Sequence, residues 1–333
     1  MIELHEVSKI YNSSTIAVEN ISFEVKEGEV FGLIGTSGCG KTTTLKMINR
    51  LVEPTEGRIL INGKSILDRP AEELRRNIGY VIQSIGLFPH YTIEQNISVV
   101  PNLLKWDDER VKERSHDLLE LVGMDPGQYK NRKPEALSGG QQQRVGLARA
   151  LAGDPDVLLM DEPFGALDPI TKERIRNEFK NLLREIGKTV ILVTHDVFEA
   201  FDLCDRICLM DEGRAQQAGT PKELLFHPEN HFVRSFFDNH RFQLEMSSVT
   251  IADILEVLPE PEKEDVSTGE DKNRRGKSVS PEDHFLSVFE QAQSEDQIIV
   301  SDSQKNSVRV TNADELLQGF QRLRSQMREG GDD

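Results

Sequence analysis

The chain has 333 residues, 37% hydrophobic and 29% charged, with 57 acidic against 40 basic side chains and a net charge of −17. A chain of this length holds about two domains with enough apolar side chains for a core, which excludes a disordered protein. A mean hydropathy of −0.46 and the lack of an apolar run near the ~20 residues that span a bilayer exclude a membrane-embedded one. The acidity also argues against a nucleic-acid partner, since that affinity comes from basic side chains neutralising phosphates. The three cysteines, Cys39, Cys204 and Cys208, are sparse and odd in number. The opening MIELHEVSKIY alternates apolar and polar residues like a strand rather than a leader, so a reducing, cytoplasmic compartment is expected.

From residue 1 to about 240, short apolar runs alternate with helical patterns. The run 30–34 reads as a buried strand. It is followed by Gly35-Thr36-Ser37-Gly38-Cys39-Gly40-Lys41-Thr42 and then Thr43, which fits the GxxxxGK[ST] pattern of a phosphate-binding loop. Glycines let backbone N–H groups turn inward around phosphates, and the helix that follows aims its positive end at them. Lys41 reaches the β and γ oxygens of a nucleotide, and Thr42 supplies a hydroxyl ligand for Mg²⁺.

A second apolar strand, 157–160, ends in Asp161 and Glu162. That places Asp161 at the edge of a sheet where Mg²⁺ needs a carboxylate, with Glu162 beside it to polarise a water. Ile175, Phe179, Leu182, Leu183 and Ile186 then repeat at helical spacing, with Gly187 at the cap position. A third strand, 190–193, precedes His195. Alternation of this kind predicts an α/β core around a largely parallel sheet. Cys39 is read as a small side chain tolerated in the loop, and Cys204 and Cys208, lacking further ligands at metal spacing, as buried core thiols.

Leu137-Ser138-Gly139-Gly140-Gln141, continuing Gln-Gln-Arg-Val-Gly-Leu-Ala-Arg149, sets this chain apart from other phosphate-loop proteins. Here residues 1–240 resemble the ATP-binding cassette (ABC) family, whose signature is LSGGQ. The resemblance implies a phosphate-loop NTPase core with a helical subdomain and an antiparallel β subdomain. It also implies that Tyr11 stacks on adenine, that Gln83 links Mg²⁺ and the attacking water to membrane subunits, and that residues 166–168 form the D-loop. His195 matches the switch histidine that contacts the γ-phosphate, Glu162 the general base or water-positioning residue.

Two copies are then expected to face head to tail, with Ser138, Gly139, Gly140 and Gln141 of one closing on ATP and Mg²⁺ held by residues 35–43 of the other. A single cassette, no apolar spans and no coiled-coil insertion between Gln83 and Ser138 point to a separate ATPase subunit at the cytoplasmic face of the membrane. Its expected partners are multi-span permease subunits, met near 85–90 with Phe88 and Pro89 as docking candidates, and through the complex an extracytoplasmic substrate-binding protein. The stretches 100–106, 134–152 and 161–171 are similar to the quaternary-amine branch of importers, which take up glycine betaine, carnitine, choline or proline. The alternatives are an importer of another small solute and a regulatory ABC ATPase without a permease.

Residues 241–282 are rich in charge, Pro, Gly and Ser and read as a linker; since members of the quaternary-amine branch often carry paired CBS modules after the cassette, the resemblance makes 249–257 a remnant of one. A helix at 284–293, strands at 298–300 and 308–310 and a helix at 313–323 resemble one such CBS repeat within a small α/β segment, 283–325, before an acidic tail, 326–333. A degenerate regulatory module, a dimerisation element and a disordered extension are the three readings of this region. Residues 243–333 hold 20 acidic and 10 basic side chains, so most of the net negative charge sits there.

Overall fold

The computed structural model describes residues 1–12, 14–83, 86–165, 167–258, 277–293, 297–302 and 307–329. It divides into two compact units, Met1–Ala218 and Gly219–Asp333.

In the first unit β1 (Ile2–Tyr11) and β2 (Thr15–Val25) pair antiparallel. β3 (Val30–Gly35) is buried at every residue, as a strand covered on both faces must be. α1 (Lys41–Ile48) follows, then β4 (Glu56–Ile61) and the short β5 (Lys64–Ser65), which complete an antiparallel sheet ordered β2-β1-β4-β5. α2 (Ala71–Arg76) leads into β6 (Ile78–Val81).

A helical excursion follows: α3 (Ile93–Leu103), α4 (Asp108–Leu121), α5 (Pro126–Tyr129), a 3-10 turn at Pro134–Ala136 and α6 (Gly139–Leu151). The sequence sets these starts locally. Thr92 and Gln95 form a reciprocal capping box on α3, and the Asp107 and Asp125 side chains cap α4 and α5. The chain then returns through β7 (Val157–Asp161), α7 (Pro169–Ile186), β8 (Thr189–Val193), α8 (Val197–Leu203), β9 (Arg206–Asp211) and β10 (Arg214–Gly219).

The central sheet runs β10-β9-β3-β8-β7-β6, and β9, β3, β8, β7 and β6 are mutually parallel. Five strand C-termini therefore open on one edge, the place where α/β sheets hold ligands. Beneath that edge Phe31, Leu33, Leu45, Met47, Leu159, Ile191 and Val193 are buried in one apolar cluster. This is the expected α/β core with its helical and antiparallel β subdomains.

The second unit starts with α9 (Pro221–Phe226), α10 (His231–Phe236), α11 (Arg241–Ser248) and α12 (Ile251–Val257). It continues with β11 (Lys277–Val279), α13 (Phe285–Ala292), β12 (Ile298–Asp302), β13 (Ser307–Thr311) and α14 (Ala313–Glu329). β11 pairs parallel with β12, and β12 antiparallel with β13. Phe285 and Phe320 stack with ring centroids 4.8 Å apart, and the fully buried Glu245 is paired by Arg324 at 2.5 Å.

Part of the stretch 241–282, read above as a linker, is helical. The compact unit begins at Gly219, and residues 241–257 are two helices. Thr250 and Asp253 cap α12 reciprocally, and the N–H groups of Ile251 and Phe285 donate to the carbonyls of Asp283 and Val249. These contacts order the first part of a stretch whose charge, Pro, Gly and Ser together suggested a linker. Residues 259–276 of that segment and 330–333 of the acidic tail lie outside the described residues.

Candidate functional site

The phosphate loop leaves the end of β3 and enters α1 through Gly40, whose φ of 102° is open to glycine. A Cβ there would stand 2.5 Å from the carbonyl of Ala17, and one on Gly35, at φ 143°, only 1.9 Å from that of Met210. The loop can lie this close to β2 and β9 only because both positions lack side chains. α1 carries no side-chain cap, so its first-turn N–H groups are suited to an anion as their partner.

Lys41 is buried and its Nζ donates to the carbonyls of Gly35 at 3.0 Å and Thr36 at 2.8 Å. The ammonium is thereby held inside the turn of the loop. The Thr36 hydroxyl donates to Asp211 at 2.6 Å. A cavity of ≈ 530 Å³ is lined by Ser37, Gly38, Cys39, Gly40, Lys41, Thr42 and Thr43 together with Glu162 and His195.

The parallel order β3-β8-β7-β6 brings Asp161 and Gln83 against Thr42 and Glu162 of the cavity lining, and His195 to the cavity itself. Thr42 Oγ1 donates to Asp161 Oδ1 at 2.9 Å. Gln83, just after β6, donates from Nε2 to Glu162 Oε2 at 2.8 Å, and His195 Nδ1 lies 3.3 Å from the same oxygen. Glu162 takes φ of 46°, a conformation that costs a non-glycine residue about 1–2 kcal/mol. Its N–H is held by the Val193 carbonyl at 2.9 Å, so strand β8 fixes the strained turn.

Burial pushes the Asp161 carboxyl above the ordinary carboxylate range, against the Thr42 hydrogen bond and the Lys46 charge, which favour ionisation. Tyr80 hydrogen-bonds the same carboxylate, and burial together with that negative charge pushes its phenol up to about 12. The donor set of Thr42 hydroxyl, Asp161 carboxylate and Gln83 amide oxygen is hard and oxygen-only. No cluster of three acidic, His or Cys ligands occurs among the described residues. One carboxylate with neutral oxygens suits Mg²⁺, which completes its shell with water and substrate phosphate rather than with an all-protein cage.

Other predicted residues lie elsewhere. Ser138 caps α6, accepting from the Gln141 N–H while the Gln141 side chain accepts from the Ser138 N–H, and Gln141 Nε2 donates to the Tyr129 hydroxyl at 3.1 Å. Ser138, Gly139, Gly140 and Gln141 are not among the residues lining the cavity above. Tyr11 ends β1, exposed, with Lys9 Nζ 5.1 Å from its ring centroid. Ala166 and Ile85 lie outside the described residues.

Cys39, Cys204 and Cys208 are buried, and burial pushes the Cys208 thiol up to about 12 and Cys204 well above its ordinary value. Phe88 is exposed, on a loop that buried Asn96 clasps by accepting from the Phe88 N–H and donating to its carbonyl.

Tyr80 and Asp211 are the site residues that sequence reasoning missed. Tyr80 had no motif to announce it. Asp211 ends the apolar strand β9 in a carboxylate, the same signal that marked Asp161.

Comparison with known proteins decides the family. Residues 18–165 match the family model described as ABC transporter. The chain is 51% identical over 263 residues to the osmoprotectant import ATP-binding protein OsmV of Salmonella typhimurium, covering 78% of this chain and 69% of that protein.

The chain belongs to the ABC transporter family.

Within it, the chain is 55% identical over 241 residues to the glycine betaine/carnitine/choline transport ATP-binding protein OpuCA of Bacillus subtilis, covering 72% of this chain and 63% of that protein. It is 49% identical over 256 residues to the glycine betaine uptake system ATP-binding protein YehX of Escherichia coli, covering 77% and 82%. The cassette thus spans about two thirds of the length of several curated relatives it matches. Among solved structures it is similar to a dimeric ATP-binding cassette, MJ0796, in a post-hydrolysis state bound to ADP and Pi. That likeness has a TM-score of 0.59 at 37% identity, covering 66% of this chain and 98% of that one. Among the described residues no helix is long and apolar enough to cross a membrane.

Proposed function

We propose that this chain is the ATP-hydrolysing subunit of an importer for small quaternary amines such as glycine betaine, choline or carnitine. The observation that carries the enzymatic part is that Gln83 and His195 both meet Glu162, which lines the phosphate-loop cavity together with His195. The substrate class rests on the similarity to OpuCA, OsmV and YehX.

In this reading residues 35–43 wrap the nucleotide phosphates, and Lys41 exchanges its loop carbonyls for β and γ oxygens. Thr42, Asp161 and Gln83 would hold Mg²⁺, which supplies charge neutralisation as the γ-phosphoryl group departs. Glu162 accepts hydrogen bonds from Gln83 and from the attacking water, orienting that water in line with the phosphorus. His195, beside Glu162, donates to the γ-phosphate. Tyr11 stacks on the adenine.

Each α6 N-terminus, with Ser138 and Gln141, closes on the nucleotide of a second copy, so neither site is complete in a monomer. Separation of the pair after hydrolysis moves the permease. Phe88 and Pro89 are the proposed contact with the permease, supported by the exposure of Phe88 on a loop clamped by Asn96 and by Arg149, which donates to the Gly86 carbonyl at 2.7 Å. The assembly includes an extracytoplasmic binding protein, and this subunit is peripheral at the cytoplasmic face. The second unit is proposed as a degenerate CBS-like regulatory or dimerisation segment.

The test is reconstitution of the chain with its permease in vesicles and measurement of ATP-driven uptake of glycine betaine, choline and spermidine. Uptake of a quaternary amine with none of spermidine supports the reading. Uptake of spermidine alone overturns the substrate class, and Phe88→Ala that still assembles with the permease overturns the docking assignment.

A further inference from the structure

His195 projects from the end of β8 with its side chain 61% exposed, so its own side chain offers little packing to fix its place. What flanks it is different. Thr194 and Glu199 are buried, and the Thr194 hydroxyl donates to the Glu199 carboxylate. The same hydroxyl accepts from the Asp196 N–H at 3.0 Å. Asp196 caps α8, its Oδ1 accepting from the N–H groups of Phe198 and Glu199. Both carboxylates converge on one cation: Lys172 Nζ lies 2.8 Å from Asp196 Oδ2 and 2.7 Å from Glu199 Oε1.

Lys172 stands in the first turn of α7, its N–H donating to the carbonyl of Asp168. One side chain thus ties the helix after the D-loop to Asp196, next to the histidine, and through Glu199 to Thr194 on its other side. A further rung joins the same two helices, Arg176 Nε to Asp202 Oδ2 at 2.8 Å. Spacing of four on α7 (172, 176) and three on α8 (199, 202) places these groups on facing stripes. The Arg176 rung touches neither neighbour of His195, which separates helix packing from histidine placement.

We propose that Lys172 is a positioning residue for His195. Through Asp196 and Glu199 it sets the backbone from which the imidazole reaches Glu162 and the γ-phosphate. Burying one carboxylate and half-burying another is costly unless a cation satisfies both. Removing Lys172 leaves two like charges facing each other at the base of the switch, and the loop relaxes away from the phosphate. This inference rests on the proposed γ-phosphate contact of His195, and the experiment is arranged so that the two can fail separately.

The full chain is assayed as wild type, Lys172→Met, Lys172→Arg, Glu199→Gln, Arg176→Met and His195→Ala. For each, steady-state ATP hydrolysis, equilibrium affinity for ADP and for a non-hydrolysable ATP analogue, and thermal unfolding are measured. Lys172→Met is expected to lower kcat by about 10- to 100-fold. It should also lower affinity for the ATP analogue relative to ADP in the same sense as His195→Ala, with ADP affinity within about twofold of wild type. Lys172→Arg should restore most of kcat, and Arg176→Met should lower the unfolding temperature while keeping kcat and the analogue-to-ADP ratio.

Should Lys172→Met not fold, the isosteric Glu199→Gln carries the same expectation in weaker form. A normal kcat and ratio in both Lys172→Met and Glu199→Gln, beside a defective His195→Ala, overturns the proposal. Equal defects in Arg176→Met and Lys172→Met overturn it too, because helix packing alone would then explain the loss. A normal His195→Ala overturns instead the role given to the histidine.

Discussion

Gly40 and Gly38 provide a graded test of how the phosphate loop is built. Both have positive φ, 102° and 79°, so alanine at either position pays a conformational cost of about 1–2 kcal/mol. Their surroundings differ. A Cβ on Gly38 meets nothing within 4 Å, whereas one on Gly40 stands 2.5 Å from the Ala17 carbonyl and 3.0 Å from Val18 Cγ2. Bringing the first contact to ordinary distance requires the start of α1 to part from β2 by roughly 0.5 Å or more, and overpacking of this kind adds about 1–3 kcal/mol. Gly38→Ala is therefore expected to lose about 1–2 kcal/mol and Gly40→Ala about 2–5. Urea unfolding of the nucleotide-free chain with the slope checked for constancy measures both. Because α1 carries the N–H groups aimed at phosphate, Gly40→Ala should also weaken nucleotide binding. Equal stability losses in the two variants, or a milder Gly40→Ala, would refute the steric reading of the loop.

Lys41→Ala should weaken ATP binding itself, measured at equilibrium without turnover; unchanged affinity would contradict the phosphate-loop assignment. Asp161→Asn should make the nucleotide-free protein more stable at pH 7. Burial raises the folded-state pKa of that carboxyl, so the stability tied to its protonated form is present below its unfolded pKa and lost as pH rises through the folded value. The gain should vanish in acid, and a less stable Asp161→Asn at pH 7 would count against it. Cys204 and Cys208, buried with raised thiol pKa values, should resist a thiolate-selective reagent in the folded chain and react on unfolding. Fast labelling of either in the native state would contradict their burial.

Local signals in the sequence carried much of this molecule. The glycine spacing around Lys41 is a loop motif whatever surrounds it, and apolar runs ending in acids mark strands that end beside the phosphate loop, as at Asp161 and Asp211. Helix starts were legible where a cap and its partner sit three residues apart, as at Ser138 and Gln141. Strand order was not legible. β8 lies between β3 and β7 although it comes after both in the chain, and only that order brings Glu162 and His195 within 3.3 Å.

The convergence of Lys172 on Asp196 and Glu199 likewise depends on how α7 and α8 face each other. The left-handed turn at Glu162 has no residue-type signature, because a glutamate is held there by a backbone hydrogen bond to β8. In the second unit, the charged, Pro-, Gly- and Ser-rich run from 259 onward drew the linker reading back over two helices at 241–257. The Thr250 to Asp253 capping box was the available signal, outweighed by the polar composition around it.

The central claim, that Glu162 acts at a nucleotide site completed by a second copy, is tested most directly by Glu162→Gln. With ATP and Mg²⁺, light scattering should show this variant passing from monomer to a stable dimer that retains unhydrolysed ATP, with turnover reduced at least about 100-fold. A Glu162→Gln chain that hydrolyses ATP at the wild-type rate, or that binds ATP and stays monomeric, would contradict the account.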